Sequence, residues 1–426
     1  MSEVLSKRPE LITPAQDWNT LKVLNNDVEA VYFGIENYNM RAKAKNFNRS
    51  DLKDIVEYCH NLNPQMKIYL CTNILIYDSE LRDLENLISE AKEADIDAII
   101  AHDLAAIEIA KRYNMTFHVS TQANISNIES ARFYENLGAE RIVLARELSL
   151  KQISDIKKDL RKTEIEVFVH GSMCTSISGR CYFSATITDN MEYSANRGNC
   201  VQPCRREWKV FDNDNNEFIY DGKFFLNTKD LCMIEHIPDL IEAQIDAFKI
   251  EGRMKDPIYI KTATECYREA IESFYQGTFN KTKVQNWIKR LKNVYNRGFH
   301  TGFFYRKPNV EDIELYKRGN ISPYRKKYLG KILSFDKNSM SANVLIENKE
   351  LFLRVGSNII ISGNESYNIE TVKKIIFNGE KVKAVIRRKD DKLIKINLPL
   401  TKEYSSDDKI YIISKTYLEE FSQGVY

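Results

Sequence analysis

The chain has 426 residues, of which 29% are charged, yet its formal net charge is only +2 at pH 7, so any contact with nucleic acid requires a local basic patch. No apolar run approaches the roughly 20 residues of a membrane-spanning helix, and the first residues lack the apolar core of a secretion signal, so we expect a cytoplasmic protein. A chain of this length predicts a large domain together with a smaller one.

Short runs rich in β-branched and aromatic residues alternate with amphipathic helical patterns over residues 11–251. The eight runs begin at Leu11, Ala30, Lys67, Ala98, Thr116, Arg141, Glu166 and Ala247. Most are continuously apolar, as a parallel strand buried on both faces requires. Helix signals include a capping box at Ser149 and Gln152 and an N-cap at Asp256 followed by Pro257. Eight such units predict an α/β fold, a (β/α)8 TIM-like barrel, with an open doubly wound sheet as the alternative.

Polar side chains follow the predicted strands, where a barrel of this type places its catalytic groups. They are Asn73, His102, Asp103, Gln122, Asn124, Arg146, Glu147, His170, Asn227, Glu251 and Arg253. Polar residues also occur wherever a buried strand emerges into a loop. The set therefore locates the mouth of the barrel without assigning a role to any single member.

The pattern changes after Gly277, where the last predicted helix of the barrel ends. Residues 281–327 contain thirteen Lys and Arg residues, three acidic residues and several interleaved aromatic residues. This composition suits RNA, and the alternative is a solvated linker whose aromatic rings pack on the barrel. Residues 328–426 show only short apolar runs separated by turns, which predicts a small all-β domain, a β-barrel. The predicted domains are therefore residues 1–280, a connector at 281–327, and 328–426.

Four of the eight cysteines fall within one short polar stretch: Cys174, Cys181, Cys200 and Cys204. In a cytosolic chain such grouping indicates metal binding rather than disulfides. Thiolates suit zinc or an iron–sulfur cluster, and the wide C-x6-C and C-x3-C spacings favour the cluster over the tight C-x2-C knuckles of zinc sites. Nearby arginines would stabilise thiolates. The remaining alternative is four reduced thiols without a ligand.

The segment EVFVHGSMCTSISGRCYFS, residues 166–184, resembles the signature of the collagenase-like peptidase family U32. Similar segments extend over most of residues 9–305, among them RPELITPAQDW, EAVYFG, HVSTQANISN, VLARELS, SANRGNCVQPCR, FFLNTKDLC, FKIEGRMKDPIYI and NRGFHTGFF. The resemblance implies an oxygen-independent hydroxylase. Its branches modify the wobble uridine of tRNA to 5-hydroxyuridine, hydroxylate a cytidine of large-subunit ribosomal RNA, or serve ubiquinone synthesis. The compact β domain and the basic connector favour the tRNA branch.

The same resemblance implies a 4Fe-4S cluster ligated by Cys174, Cys181, Cys200 and Cys204, with Cys232 as a lower-ranked fifth candidate, and prephenate as the small carboxylate co-substrate. On this hypothesis the wobble uridine flips into the barrel mouth. The expected substrate-binding residues are Gln122 and Asn124 for the base edge, and Arg146, Lys249 and Arg253 for carboxylates or the RNA backbone. The expected catalytic residues, which manage protons, are Glu251 and His170. A structural ion pair between Glu251 and Arg253 is the alternative role for those two residues.

Two other classes of function stay open. The first is a collagenase-like peptidase, although the chain has no H-E-x-x-H helix, no G-x-S-x-G elbow and no Walker A loop. The second is a zinc-stapled RNA-binding module without catalysis. The second class predicts a colourless protein that binds tRNA and leaves it unmodified.

Overall fold

The computed structural model describes residues 7–25, 28–217, 223–349, 351–363 and 367–415. Contacts between residues divide the chain into two units. The first unit comprises Met1–Asp17 and Leu24–Ile321, and the second comprises Trp18–Val23 and Ser322–Tyr426.

The first unit is a closed barrel of eight parallel strands. Its strands, with two additional short ones, are β1 (Glu10–Pro14), β2 (Ala30–Phe33), β3 (Lys67–Thr72), β4 (Ala98–Ala101), β5 (Phe117–Val119), β6 (Arg141–Val143), β7 (Glu164–Ser172), β8 (Asp230–Cys232), β9 (Ala247–Ile250) and β10 (Phe299–His300). Strands β1 to β7 pair in sequence order, and β9 closes the ring by pairing in parallel with both β1 and β7. The predicted (β/α)8 barrel is therefore confirmed, and the eight predicted runs are its eight strands.

Helices alternate with the strands along the chain. In chain order the helices are α1 (Trp18–Lys22, in the second unit), α2 (Leu52–Leu62), α3 (Leu81–Glu93), α4 (Leu104–Arg112), α5 (Ile128–Asn136), α6 (Leu150–Asp159), α7 (Phe183–Thr188), α8 (Ile237–Glu242), α9 (Pro257–Tyr275) and α10 (Lys281–Asn293). The predicted capping box is confirmed at α6, where the Ser149 hydroxyl accepts a hydrogen bond from the backbone N–H of Gln152. The predicted N-cap Asp256 likewise begins α9, ahead of Pro257.

The inside of the barrel is packed with side chains that alternate in size. Small and large residues from β1 to β4 and β9 form one buried cluster, which consists of Ile12, Ala30, Tyr32, Tyr69, Cys71, Ala98, Ile100 and Ala247. Because these side chains fill the interior, the barrel is a core and not a channel. Any ligand site must therefore lie at an end of the barrel.

The chain makes a long excursion between β7 and β9. It first runs through residues 173–206, which we call the cysteine loop, and then returns as β8. Strand β8 pairs antiparallel with the end of β7, and β10 pairs with β8. The first part of the nine-residue β7 pairs within the barrel, and its last residues pair with β8 of the excursion. This arrangement places the cysteine loop at the carboxyl end of the barrel.

Residues 281–321 belong to the first unit. Trp287 of α10 is only 2% exposed, its ring packs on Phe279, and its indole N–H donates to Glu269. Phe304 is also buried, whereas Tyr316 is exposed. Some aromatic side chains of the predicted connector therefore pack within the first unit. The connector's role in binding RNA stays a prediction.

The second unit is an antiparallel β structure. Its strands are β11 (Tyr324–Asp336), β12 (Ser341–Ile346), β13 (Phe352–Arg354), β14 (Asn358–Ser362), β15 (Tyr367–Thr371), β16 (Ile375–Phe377), β17 (Glu380–Val382), β18 (Ala384–Ile386), β19 (Ile394–Pro399) and β20 (Lys409–Lys415). Eight of them form a sheet in the order β15-β14-β20-β11-β12-β19-β16-β17, and β13 pairs with β18. The predicted small all-β domain is confirmed, and β15 and β17 are the edge strands of its large sheet.

Candidate functional site

A cavity of about 300 Å³ lies at the carboxyl end of the barrel. Residues that follow β3, β5, β6 and β9 line it, together with much of the cysteine loop. The charged lining residues are five cations and one carboxylate: Arg41, Arg146, Arg180, Lys249, Arg253 and Glu251. Such a cavity attracts anions because cations outnumber carboxylates and the surrounding protein screens them weakly. The predicted mouth of the barrel is therefore also a cationic cavity.

All four clustered cysteines line this cavity. All four are free thiols, and Cys174 is the most exposed of them. Cys174 lies two residues beyond β7, Cys181 precedes α7, and Cys204 lies in a short 3-10 turn. Over the described ranges, no three His, Cys, Asp or Glu side chains already stand at metal-binding separations. Four soft sulfur donors that face one cavity nevertheless fit a thiolate-bound metal centre in donor type and number.

The electrostatics of the thiols also fit a metal centre. The Cys174 thiol is exposed within the cavity but is surrounded by protein atoms, and this desolvation alone would raise its pKa. The cations of Arg146 and Arg41 outweigh the desolvation and hold that pKa below its usual value. Burial and the charges of the other thiolates raise the pKa values of Cys200 and Cys204. Thiolates that repel one another in a confined space are stabilised by a bound cation, because metal binding replaces their protons.

Glu251 and Arg41 form an ion pair at the cavity wall. The Nε and Nη2 atoms of Arg41 lie 3.1 Å and 3.0 Å from the Oε1 atom of Glu251. Burial disfavours the ionised form of Glu251, but the charges of Arg41, Arg253 and Arg146 outweigh it and lower the pKa of the carboxyl group. Glu251 is therefore an ionised carboxylate at neutral pH.

Arg253 is held under the loop that carries Arg41. Its Nη2 atom donates to the side-chain oxygens of Asn39 and Asn46, at 2.8 Å and 2.7 Å. A Cβ atom on Gly34 would stand 2.2 Å from this nitrogen, so only glycine leaves room for the guanidinium. The buried Nε atom of Arg253 has no hydrogen-bond partner among the described residues. Arg253 therefore contributes a fixed positive charge to the cavity wall.

Five of the seven predicted catalytic and substrate-binding residues line the cavity: Gln122, Arg146, Lys249, Glu251 and Arg253. The Lys249 ammonium is already paired, because its Nζ lies 2.7 Å from an oxygen of the fully buried Glu166. The buried Nε of Arg146 has no partner within the described part of the chain, and its Nη1 lies 3.4 Å from the carbonyl oxygen of Ser172. The side-chain oxygen of Gln122 accepts a hydrogen bond from the Ser120 hydroxyl, and this bond orients the Gln122 side-chain amide.

The other two predicted residues, His170 and Asn124, are not among the lining residues. His170 is buried against the rings of Tyr259, Tyr267 and Phe299, and burial lowers its pKa to about 4. Asn124 has a left-handed backbone (φ 53°), and its amide donates to the carbonyl of Ser178, 3.1 Å away. Asn124 therefore ties the cysteine loop to the turn after β5.

Comparison with known proteins gives one consistent family. The sequence model of peptidase family U32 matches residues 16–314. The chain belongs to peptidase family U32. Its U32 relatives include an uncharacterized protease of Methanocaldococcus jannaschii, 38% identical, with 96% of this chain and 98% of the relative covered. A collagenase of Porphyromonas gingivalis is 34% identical over 95% of this chain and 98% of its own length.

A third U32 relative carries a different kind of name. The tRNA hydroxylation protein P1 of Bacillus subtilis is 32% identical, with 87% of this chain and 88% of that protein covered. The names of these three relatives thus divide between proteolysis and RNA hydroxylation. In the part of the chain that the structure describes, no helix combines the length and the apolar character needed to cross a membrane.

Arg41, which lines this cavity, was not predicted from the sequence. Arg41 lies far from the signature, in a loop between β2 and α2 with no periodic pattern. One signal was present: the segment EAVYFG, which resembles the family, ends at Gly34, directly before that loop. The fifth cysteine candidate, Cys232, is buried in β8 near the Tyr267 hydroxyl and is not among the lining residues.

Proposed function

We propose that this U32 protein is a cytoplasmic, oxygen-independent RNA hydroxylase that forms 5-hydroxyuridine at the wobble position of tRNA. The observation that carries the proposal is one cavity lined by four free thiols and five cations. A hydroxylase of this kind needs a redox-capable centre next to a place for anionic substrates. The named relative from Bacillus subtilis supports RNA hydroxylation as the type of reaction.

In this proposal Cys174, Cys181, Cys200 and Cys204 hold a 4Fe-4S cluster, and zinc is the alternative metal. When bound, such a cluster supplies electrons or a Lewis-acidic iron for an oxygen donor. The residues around it act electrostatically. The guanidinium groups of Arg146 and Arg41 already lower the pKa of Cys174, and they would offset the negative charge of thiolate ligands.

Prephenate is the proposed source of the hydroxyl group, and its two carboxylates match the cations of the cavity. Arg146 and Arg253 both line the cavity, and neither forms an ion pair with a carboxylate among the described residues, so either can bind a carboxylate of prephenate. Lys249 contributes less, because Glu166 neutralises it. We therefore assign carboxylate binding chiefly to the two arginines. Lys249 lines the cavity as part of its ion pair with Glu166.

The proposed roles toward the uridine follow from position. Gln122 lines the cavity with an oriented amide, which suits hydrogen bonding to the edge of a flipped base. Glu251 is the proposed proton acceptor, because it is ionised and lines the cavity. We prefer Glu251 to His170 for this role, since His170 is neutral, buried among rings and outside the lining.

A collagenase-like peptidase is the second candidate function, because two relatives are named for proteolysis. Glu251, the one carboxylate among the described cavity-lining residues, is bound by Arg41. A peptidase needs a nucleophile or an activated water beside a general base. The thiols could supply a nucleophile, so this candidate predicts peptide cleavage by protein without metal. Ribosomal RNA cytidine is the alternative RNA substrate.

The test is mass spectrometry of nucleosides from tRNA and ribosomal RNA of cells that lack this protein. Plasmids would restore the wild type, Cys181→Ala, or Cys59→Ala, the last being a buried cysteine of α2 outside the cavity lining. We expect 5-hydroxyuridine-derived nucleosides to disappear and to return with the wild type and Cys59→Ala only. Unchanged tRNA with altered ribosomal RNA would move the assignment to cytidine. If neither RNA changes while purified protein cleaves denatured collagen, the peptidase is correct.

A further inference from the structure

An exposed aromatic and cationic edge lies beside the mouth of the cavity. We call Ile177, Arg180 and Tyr182 the cavity rim. Ile177 is 57% exposed and Tyr182 is 70% exposed, although both are large apolar or aromatic side chains. Ile177 and Arg180 line the cavity, and Tyr182 lies between Cys181 and Phe183, which also line it. Exposed apolar and aromatic side chains grouped at a cavity mark a surface for a ligand.

The guanidinium of Arg180 is available for an external anion. Over the ranges that the structure describes, its side chain has no hydrogen bond or ion pair, and only its backbone N–H is bonded, to the carbonyl of Ile177 at 3.1 Å. Another arginine of the same loop differs, because Arg197 forms an ion pair with Glu80. A charged side chain left unpaired beside four further lining cations, Arg41, Arg146, Lys249 and Arg253, suits a polyanionic partner.

The backbone that carries the rim is fixed at three points. Gly179 packs closely on the backbone of Gln122. A Cβ atom added to Gly179 would stand 2.0 Å from the backbone carbonyl oxygen of Gln122. The Ser178 carbonyl accepts from Asn124, and the Ser178 N–H donates to Glu147 at 2.9 Å. The rim is therefore a preorganised platform, and binding to it loses little conformational entropy.

We propose that the cavity rim holds the single-stranded RNA that flanks the reacting nucleotide. A base stacks on the Tyr182 ring and packs against Ile177, and Arg180 binds a phosphate of the same segment. This inference rests on the proposed function and extends it to the surface that positions the RNA. Aromatic faces combined with unpaired cations are the usual means of binding single strands.

The position of the rim also links RNA binding to the thiols. Ile177 and Arg180 lie between Cys174 and Cys181, and Tyr182 follows directly. Any ligand that fixes those two thiols also fixes the rim. Asn124 becomes a positioning residue, since it acts on the RNA through the backbone of the rim.

The test uses the full chain, purified with its cluster under anaerobic conditions, and a synthetic anticodon stem-loop RNA with 2-aminopurine beside the wobble position. Fluorescence titrations compare the wild type with Tyr182→Leu, Tyr182→Phe and Arg180→Gln. Matched controls are Phe133→Leu, a 53% exposed aromatic residue of α5 outside the lining, and the exposed Arg112→Gln. Circular dichroism and visible absorbance establish that each variant is folded and loaded.

We expect the wild type and Tyr182→Phe to quench 2-aminopurine on binding, as stacking does. Tyr182→Leu should lose the quench and bind about 5- to 100-fold more weakly. Arg180→Gln should reduce the slope of log Kd against log salt by roughly 0.7, the share of one phosphate. The controls should behave as the wild type.

Three results would overturn the inference. Unchanged quench and affinity in Tyr182→Leu and Arg180→Gln would contradict the rim while leaving the proposed function intact. An equal loss in the Phe133 and Arg112 controls would show that the effect is not local. Failure of the wild-type protein to bind this RNA or a complete tRNA transcript would contradict the proposed function together with the rim.

Discussion

Both the Nε and the Nη2 atoms of Arg41 lie within 3.1 Å of a single carboxylate oxygen of Glu251. This contact joins the loop after β2 to the end of β9 across the cavity wall. Among the described residues, the second oxygen of Glu251 forms no hydrogen bond, and the contact with Arg41 keeps the carboxyl group ionised.

Replacing Arg41 by alanine should therefore affect both stability and activity. The Arg41 side chain is 27% exposed and that of Glu251 is 13% exposed, so we expect this ion pair to stabilise the fold more than a surface ion pair and less than a fully buried one. We expect Arg41→Ala to lower the free energy of unfolding by roughly 1–3 kcal/mol and to raise the pKa of Glu251. Hydroxylation should fall by about tenfold or more, and Arg41→Lys should retain an intermediate rate. Denaturant unfolding and nucleoside analysis measure the two effects. A stable, fully active Arg41→Ala protein would contradict this role.

The cysteines predict a specific metal content. Wild-type protein purified without oxygen should contain about four iron atoms and four sulfides per chain, with the brown absorbance of a cluster. Cys181→Ala should lose most of the iron, whereas Cys59→Ala should retain it because Cys59 is buried in α2. Metal analysis and visible spectra make this measurement. Stoichiometric zinc in a colourless wild-type protein would replace the cluster by the zinc alternative.

His170 predicts a pH dependence of stability. Burial lowers its pKa from 6.5 to about 4, so the unfolded chain takes up this proton first as the pH falls. Protonation of His170 therefore does not affect the free energy of unfolding above pH 6.5, and it lowers that free energy progressively between pH 6.5 and about 4. The difference between the two pKa values corresponds to roughly 3 kcal/mol. Unfolding curves from pH 4 to 7 for the wild type and His170→Gln should show a shallower pH slope in the variant. Parallel slopes would mean that His170 is not neutral in the folded protein.

Two glycines with left-handed backbones provide a matched pair. Gly179 has φ +74° and would bring a Cβ atom to 2.0 Å from the Gln122 carbonyl, whereas Gly138 has φ +95° and nothing within 4 Å. Gly138→Ala should cost only the backbone strain, about 1 kcal/mol. Gly179→Ala should add a displacement of the cysteine loop, seen as lost iron and lost RNA binding. If both variants keep iron and RNA binding, the close contact with Gln122 is not required.

The strands of the barrel were predictable because strands buried on both faces must be almost wholly apolar. The apolar runs therefore differed clearly from the amphipathic helical segments. The capping box formed by Ser149 and Gln152 likewise indicated the start of α6, because these side chains bond to the free backbone N–H groups there. Closure of the ring was not visible, since the pairing of β9 with β1 joins residues more than 200 positions apart.

The site was predictable in composition and less so in detail. Four cysteines grouped in a polar stretch have few other uses, and they do face one cavity. The sequence pattern placed both Glu251 and His170 at strand ends, but Glu251 follows β9 and lines the cavity, whereas His170 lies within β7 and packs among aromatic rings. The ion pair between Lys249 and Glu166 could not be predicted either, because it depends on the register between β7 and β9.

The cysteine loop is a single excursion from the barrel, inserted between β7 and β9. Among the described residues, the cluster that fills the barrel interior takes its side chains from β1 to β4 and β9 and none from that excursion. The far end of β7 does pair with β8 of the excursion. We therefore expect the scaffold to fold without the proposed metal centre. We expect newly made chains to fold first, persist as an inactive pool, and gain activity in proportion to the iron and sulfide that the cell provides.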